Sequence, residues 1–580
     1  MGAGRGVLRN FRIALAQINP TVGNLQGNVD KIIEYINLAR LNSVDLIAFP
    51  EMAIPGYPPE DLIFKSQFTQ ANIESLNEVI LASQGLTVVA GFVDTLSSYL
   101  YNSAAVAYDG KLVSKYNKIH LPNYGVFDEE RYFRPGKECQ VLTVSGIQLG
   151  LNICEDIWYT DGPTMFQVAA GASLIINISA SPFYAEKRDV REKMLSKRAS
   201  DNEAFIAYVN MIGGQDELVF DGGSVIYDPN GEELAMGSQF QEDMIVADIP
   251  IETLMRLSHK NIKPGYPKNS WSVTQIVVSE AVKTKKPKLE SKFPNRYQGV
   301  GEVYQALVLG TTDYVLKSGF EKVFIALSGG IDSSVVATIA TDAVGHENVI
   351  GVAMPSRYSS EGSLLDARAL SEKLEIDLWE LPIENSFKTN LETLSPFFQE
   401  TGTGLAEENL QSRIRGTLIM AMANKFGGIV LTTGNKSEMA VGYATIYGDM
   451  AGGYSVIKDV PKTLVYKLAD YRNLKGNYPV IPESIIRKPP SAELRPNQKD
   501  SDSLPPYDVL DPIIKAYVED DLSFQEIVKL GYDEKLVQQV LTLIDRSEYK
   551  RRQSPPGVKI TSRNFGRDRR MPIVNQYKPF

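Results

Sequence analysis

Residues 328–334 read Ser-Gly-Gly-Ile-Asp-Ser-Ser. A near-continuous apolar run precedes them at 322–327. Val335, Val336, Ile339, Ala340 and Val344 follow at three-four spacing, which predicts strand, loop and helix in that order. Two glycines let a ligand approach the backbone, and hydroxyls plus a helix N-terminus supply donors and positive field. The loop therefore suits an anion. Asp332 would repel phosphate unless a cation lies between them, and Mg²⁺ is the hard ion that resolves the conflict. Residues 428–437 look like a Walker A loop at first sight, but Asn435 separates Gly434 from Lys436 and the spacing is wrong.

A second constellation lies upstream. Cys154 ends an apolar strand-like run and is followed at once by Glu155 and Asp156, unlike a core cysteine. Glu51 ends another such run, and Lys118 lies in Asn-Lys-Ile-His-Leu-Pro. No one of them is informative alone. Cys139 follows Pro135-Gly136 and is read as an idle loop residue, and His120 as a structural donor rather than a base.

These groups need elements to hold them. Strands are expected at 11–18, 45–49, 86–92, 103–108, 147–153, 173–178, 204–211, 224–227 and 244–249, with a helix at 28–41. So many strands before residue 250 predict two sheets covered by helices. Lysines 283, 285, 286, 288 and 292, with Pro287 and Pro294, read as an exposed linker. Beyond it, helices at 302–318 and 411–424 alternate with strands at 322–327, 348–354, 377–381 and 428–433. That alternation predicts a parallel sheet with helices on both faces and ligands at the strand carboxyl ends.

The chain has 580 residues, enough for two to four domains. With 43% apolar and 22% charged residues it is an ordinary globular composition, not a disordered one. The net charge of −10 argues against bulk nucleic-acid binding. Two cysteines and three histidines exclude a disulfide framework and share no zinc spacing, so a metal should be held by oxygen. No apolar run is long enough to span a membrane, and the start lacks a signal-peptide core. A cytoplasmic location is expected.

The Ser328–Ser334 string resembles the pyrophosphatase loop of the N-type ATP pyrophosphatases. The strings Thr-Gly-Asn-Lys-Ser-Glu at 433–438, Tyr-Gly-Asp-Met-Ala-Gly-Gly at 447–453 and Ile-Lys-Asp-Val-Pro-Lys-Thr at 457–463 narrow this. They resemble NAD synthetases, and the basic C-terminal residues from Lys550 onward resemble the glutamine-dependent members of that family. The resemblance implies ATP contacts at Ser328, Gly329, Gly330, Asp332, Ser333, Arg413, Thr433 and Lys462. It implies deamido-NAD⁺ contacts at Glu438, Asp449 and Lys458, and Mg²⁺ on Asp332 and Glu438.

Glu51, Lys118 and Cys154, in that order, resemble the triad of the nitrilase superfamily. This implies an α-β-β-α sandwich over most of residues 10–250. By the same resemblance Tyr57, Tyr124, Glu129, Glu155 and Ser181 line a glutamine pocket. The expected organisation is a glutaminase domain at 1–280, a linker at 281–300, and a Rossmann-like ATP pyrophosphatase domain at 301–580 with a basic extension. Glutamine, deamido-NAD⁺ and ATP are the expected small-molecule partners. Neither nucleic acid nor membrane is expected, and a homo-oligomer (tetramer or octamer) is implied by analogy. Ammonia released at Cys154 would be protonated in water, so a closed tunnel to the second site is expected. Rivals are a related amidotransferase on another nucleotide carboxylate, a tRNA-modifying enzyme, and a dead-site binding protein.

Overall fold

The computed structural model describes residues 10–261, 271–280, 286, 288–289, 294, 296–399, 402–476 and 478–580. The chain divides into two compact units, residues 1–215 with 220–297, and residues 216–219 with 298–580. The start, read above as lacking a signal peptide, and Lys283, Lys285 and Lys292 of the expected linker lie outside the described residues. Lys286 departs from the exposed reading: it pairs with the Asp45 carboxylate and donates to the Asn10 carbonyl.

The first unit contains a six-stranded and a seven-stranded sheet. In the first, Asn10–Gln17 lies between Asp243–Pro250 (antiparallel) and Leu46–Ala48 (parallel), and Thr87–Leu96, Tyr99–Tyr108 and Lys111–Asn117 follow outward. In the second, Ile147–Ile153, Leu174–Ser179 and Phe205–Asn210 run parallel at the centre. Strand alternation decides the layers. Phe11, Ile13 and Leu15 pack against Leu149, Leu151 and Ile153 between the sheets. Ala14, Ala16 and Ile47 point the other way, under the helices Leu25–Leu41 and Ser66–Leu81. Ile175, Ile206 and Tyr208 meet Leu195 and Ala199 of the helix Lys187–Asn202. Each central strand is covered on both faces, so its sequence is apolar nearly throughout. The result is the α-β-β-α sandwich that the triad resemblance implies.

Cys139 is not in a loop. It sits in the strand Glu138–Val144, fully buried between the sheets and paired in parallel with Ser272–Val277. The Pro135-Gly136 pair signals a turn, but the strand begins only two residues after it, at Glu138, so Cys139 is already within the strand. Burial pushes its thiol up to about 12, which keeps it inert.

The second unit holds a five-stranded, wholly parallel sheet in the order Asp377–Glu380, Val349–Ala353, Lys322–Ala326, Gly428–Thr432, Tyr454–Ser455. The helices Glu384–Leu394 and Leu405–Phe426 cover one face through Phe324, Val352, Ile383, Phe387 and Ile419. This is the Rossmann-like arrangement expected from strand-helix alternation. A further helical cluster forms around Leu510, Ile513, Val537, Val540 and Ile544; the sequence reading had no counterpart for it.

Candidate functional site

In the first unit, Glu51 follows the strand Leu46–Ala48, Lys118 follows Lys111–Asn117, and Cys154 follows Ile147–Ile153. Each residue therefore stands at the carboxyl end of its strand. The Glu51 turn is packed against the strand Thr87–Leu96. A Cβ on Gly91 would lie 2.3 Å from the Met52 nitrogen and 2.5 Å from the Pro50 carbonyl. Cys154 has φ +43°, a conformation a side chain adopts only under constraint. Asp156 supplies much of that constraint. Its carboxylate accepts from Ile153 N at 3.1 Å and Tyr116 Oη at 2.8 Å, and from Ile119 N and His120 N at 3.1 and 2.8 Å. One carboxylate thus ties the turn bearing Cys154 to the segment just after Lys118.

Lys118 Nζ donates to Glu51 Oε1 at 2.7 Å and to Glu129 Oε1 at 2.8 Å. Asn102 Nδ2 donates to Glu51 Oε1 at 2.6 Å and to Glu129 Oε2 at 3.3 Å. Ala180 N donates to Glu51 Oε2 at 2.9 Å, and Tyr57 Oη to Glu129 Oε1 at 3.1 Å. All of these side chains are buried. Burial alone would push the Lys118 ammonium down, but Glu129 and Glu51 outweigh it and hold the group well above the usual range. Burial lifts Glu129 to about 7. Burial and the charge of Glu51 raise the Cys154 thiol, with Lys118 opposing, so the resting sulfur keeps its proton.

Tyr124 Oη donates to both Glu155 oxygens, at 3.1 and 3.0 Å. Ser181 follows Ala180 directly and is held through its backbone by Asn210, at 2.8 Å from Ser181 N. The His120 ring stacks on Tyr159 at 4.0 Å, and its buried Nε2 has no hydrogen-bond partner among the described residues. The donor expected at His120 is its main-chain N–H, not its ring. Asn102 and Asp156 were missed as site residues. Asn102 stands just before an expected strand, and its neighbours give no hint of the two carboxylates it meets.

In the second unit, a cavity of about 280 Å³ opens at the carboxyl ends of the parallel strands. Ser328, Gly330, Asp332, Ser333, Thr433, Glu438, Asp449 and Lys462 line it. Gly329 lies behind the lining with φ +71°, and a Cβ there would stand 2.1 Å from the Ser363 carbonyl, so only glycine fits. Ser328 Oγ lies 3.1 Å from Ser333 Oγ. Asp332 accepts from Asn435 Nδ2 at 2.9 Å and is paired with Lys462, whose Nζ is also 3.5 Å from Glu438. Burial first, then Asp332, raises Glu438 to about 8. Asp449 is raised to about 6 by burial and accepts from Thr445 N at 2.6 Å.

Two expected contacts stand elsewhere. Arg413 projects to solvent, its Nε donating to the Ile446 carbonyl at 3.3 Å, while Arg415 lines the cavity. Two positions along a helix turn a side chain by roughly 200°, so the two arginines cannot share a face. Lys458 is buried away from the lining, and its Nζ donates to the Pro555 carbonyl at 2.8 Å.

Among the described residues, no three His, Cys, Asp or Glu side chains form a metal cluster. Mg²⁺ does not need one: it takes one or two carboxylates and completes its shell with phosphate and water. The Asp332 and Glu438 carboxylates, both in the cavity lining and both near Lys462, with Glu438 held above its usual range by burial and then by Asp332, fit such an ion.

Residues 12–257 match the carbon-nitrogen hydrolase family and residues 303–554 match NAD synthase. The glutamine-dependent NAD(+) synthetase of Thermotoga maritima is 47% identical over 577 residues, 98% of this chain and 100% of that one. The chain belongs to the glutamine-dependent NAD(+) synthetase family. The family member from Acinetobacter baylyi is 43% identical over 99% of this chain and all of its own. The structure of the glutamine-dependent NAD+ synthetase of Acinetobacter baumannii, a complex with ADP, superimposes with a TM-score of 0.73. It is 40% identical and is matched over 98% of this chain and 99% of its own. The family's two-part architecture accounts for the two constellations, each in its own unit. No described helix is long and apolar enough to cross a membrane.

Proposed function

We propose that the chain is a glutamine-hydrolysing NAD⁺ synthetase, an enzyme of the ligase class acting at the final amidation step of NAD biosynthesis. Deamido-NAD⁺, ATP, glutamine and water give NAD⁺, AMP, pyrophosphate and glutamate. The observation that carries this reading is the buried Lys118, held between Glu51 and Glu129 beside Cys154, in a chain that also carries the Ser328–Ser334 loop on a second sheet.

In the glutaminase reaction, Cys154 sulfur attacks the side-chain amide carbon of glutamine while Glu51 takes the thiol proton. The raised thiol makes this transfer concurrent with attack rather than prior to it. Lys118 stays cationic and stabilises the oxyanion of the tetrahedral intermediate. Glu51 then gives its proton to the leaving nitrogen, and ammonia departs from a glutamyl thioester. Water, activated by Glu51, releases glutamate. Glu155 with Tyr124, together with Tyr57 and Ser181, hold the amino-acid end of glutamine.

In the second unit, the carboxylate of deamido-NAD⁺ is a poor electrophile because its charge repels a nucleophile. Transfer of AMP onto it supplies a leaving group. Ser328, Gly330 and Ser333 hold the departing pyrophosphate, and Thr433 with Arg415, in place of Arg413, contact ATP. Lys462 meets the phosphate charge. Asp449 and Glu438 face the deamido-dinucleotide, and Asp332 with Glu438 would hold Mg²⁺. When bound, the ion would neutralise phosphate charge in the transition state.

The ammonia is handed on without mixing with the medium, because in water it would become ammonium and lose its nucleophilic lone pair. The same reading places the chain in the cytoplasm as a homo-oligomer. One assay tests the whole: deamido-NAD⁺, ATP, Mg²⁺ and glutamine should yield NAD⁺, AMP, pyrophosphate and glutamate together. Missing AMP points to a different ligase chemistry, and missing glutamate to a different nitrogen source. An ammonia trap in solution should leave glutamine-driven synthesis intact.

A further inference from the structure

We infer that Asn102 is a positioning residue for glutamine hydrolysis: it occupies Glu51 Oε1, so that Oε2 is the oxygen that exchanges the proton with Cys154. The inference rests on the glutaminase reading given above.

A carboxylate oxygen has two in-plane lone pairs. Glu51 Oε1 accepts from Lys118 Nζ at 2.7 Å and from Asn102 Nδ2 at 2.6 Å, which uses both. Among the described residues, Glu51 Oε2 accepts one hydrogen bond, from the neutral main-chain N–H of Ala180 at 2.9 Å. One lone pair remains there, and it faces neither the ammonium nor the side-chain amide, so it is the open position for a proton. When the S–H bond of Cys154 breaks and the C–S bond forms, the proton goes to Oε2 and the carbonyl electron pair to the oxyanion beside Lys118. When the C–N bond breaks, the same proton leaves Oε2 with the nitrogen, and neutral ammonia results.

The choice of asparagine follows from the two partners it must serve. Its Nδ2 also reaches Glu129 Oε2 at 3.3 Å. One neutral nitrogen with two N–H bonds can serve two carboxylates at once. A hydroxyl offers one hydrogen, and a second lysine would add charge. The two carboxylates also orient the amide, since its oxygen turned toward either would be repelled. Asn102 Oδ1 is consequently left buried, in a residue 1% exposed, without a hydrogen-bond partner among the described residues. An unpaired buried acceptor is costly to the fold. Here the cost goes with the reacting groups that Nδ2 holds. The charged and titratable groups acting on Glu51 or acted on by it are Lys118, Glu129, Cys154, Glu155 and Tyr57.

The test uses the full chain, with glutamine hydrolysis followed from pH 5.5 to 9 in Asn102→Leu and Asn102→Asp. The first keeps bulk without donors, and the second keeps shape but replaces the donor with a third carboxylate. In both, kcat should fall about 10- to 100-fold while KM stays within about threefold. The acid limb of the kcat profile should move to higher pH in both variants, since the Asn102 donor holds the Glu129 carboxyl down and its loss lets that group keep its proton longer. A fall in kcat with an unmoved acid limb overturns the proposal, as does unchanged kcat. If Asn102→Leu lacks a cooperative melting transition, Asn102→Asp carries the test, and failure of both to fold assigns Asn102 to the fold and overturns it. Cys154→Ala run alongside separates the two levels: hydrolysis that survives it removes the glutaminase reading itself.

Discussion

Lys118 Nζ lies 2.7 Å from Glu51 Oε1, and both side chains are wholly shielded from solvent. Removing two such charges from water costs more than a surface pair returns, so the pair is a poor device for stability. Its place is explained by the reaction, which needs a base and a fixed cation within reach of one sulfur. Lys118→Met should leave Glu51 and Glu129 as uncompensated buried carboxylates. We expect loss of glutamine hydrolysis together with about 3–5 kcal/mol of stability, read by denaturant unfolding. Unchanged stability would mean that the carboxylates find another partner.

The two units predict a clean separation of activities. Cys154→Ala should abolish glutamine-driven NAD⁺ synthesis and leave synthesis from added ammonia within about twofold, since adenylation uses none of its atoms. Asp332→Asn should remove AMP formation with either nitrogen source. Loss of both activities in a folded Cys154→Ala chain would contradict the division of roles.

Glu129 carries a pH signature. Its carboxyl is raised from 4.5 to about 7, burial being the first cause. Between those values the folded chain holds a proton that the unfolded chain has released. Its contribution to stability therefore declines as pH rises from about 4.5 to about 7 and levels off above. Ionised Glu129 holds Lys118 in place from the side opposite Glu51, and protonated Glu129 loosens that hold. Glutamine turnover should rise through pH 7, and Glu129→Gln should lose that inflection. A rate profile in which the inflection persists would exclude Glu129 as its source.

Gly91 is the packing test. An added methyl would meet main-chain atoms of Pro50, Glu51 and Met52, the last at 2.3 Å. Backbone cannot swing aside as a side-chain end can, so the Glu51 turn must move. Gly91→Ala should cost about 1–3 kcal/mol and depress glutamine hydrolysis far more than ammonia-driven synthesis. Equal depression of both would locate the damage elsewhere.

The basic C-terminal residues left a nucleic-acid rival open in the sequence. In the structure Lys559 pairs with Asp568 at 2.9 Å, Arg569 with Asp545 at 3.4 Å, and Arg551 with Glu548 at 2.9 Å. Lys550 caps the Gly442 and Ala444 carbonyls at 2.7 and 2.9 Å. These charges are spent within the chain, which a count of basic residues could not reveal.

Much of the site was legible because it is local. The Ser328–Ser334 loop is contiguous, and Glu51 and Cys154 each follow a strand whose apolar run announces it, whereas the strand before Lys118, Lys111–Asn117, carries no such run. The strand at residues 10–17 was itself legible as an apolar run, but both its faces are buried, so only the tertiary structure assigns Ile13 to one face and Ala14 to the other. Arg413 and Arg415 mark the limit. Both lie in the helix Leu405–Phe426, where buried and exposed residues do not fall into one plain stripe, and only docking on the sheet turns Arg415 inward.

By itself, the sequence determined the two chemistries, their order along the chain and the strand ends that carry Glu51, Cys154 and the Ser328–Ser334 loop. Tertiary structure decided which polar groups share a buried space. Asn102 meets Glu51 and Glu129 because adjacent strands bring Asn102 and Lys118 together, with Lys118 N donating to the Asn102 carbonyl at 2.9 Å. Asp156 joins the Cys154 turn to Ile119 and His120 for a similar reason. Such contacts depend on register between distant segments, which residue type and spacing do not encode. The proton affinities of Glu129 and Glu438 follow from burial, and burial exists only once the chain has closed around them.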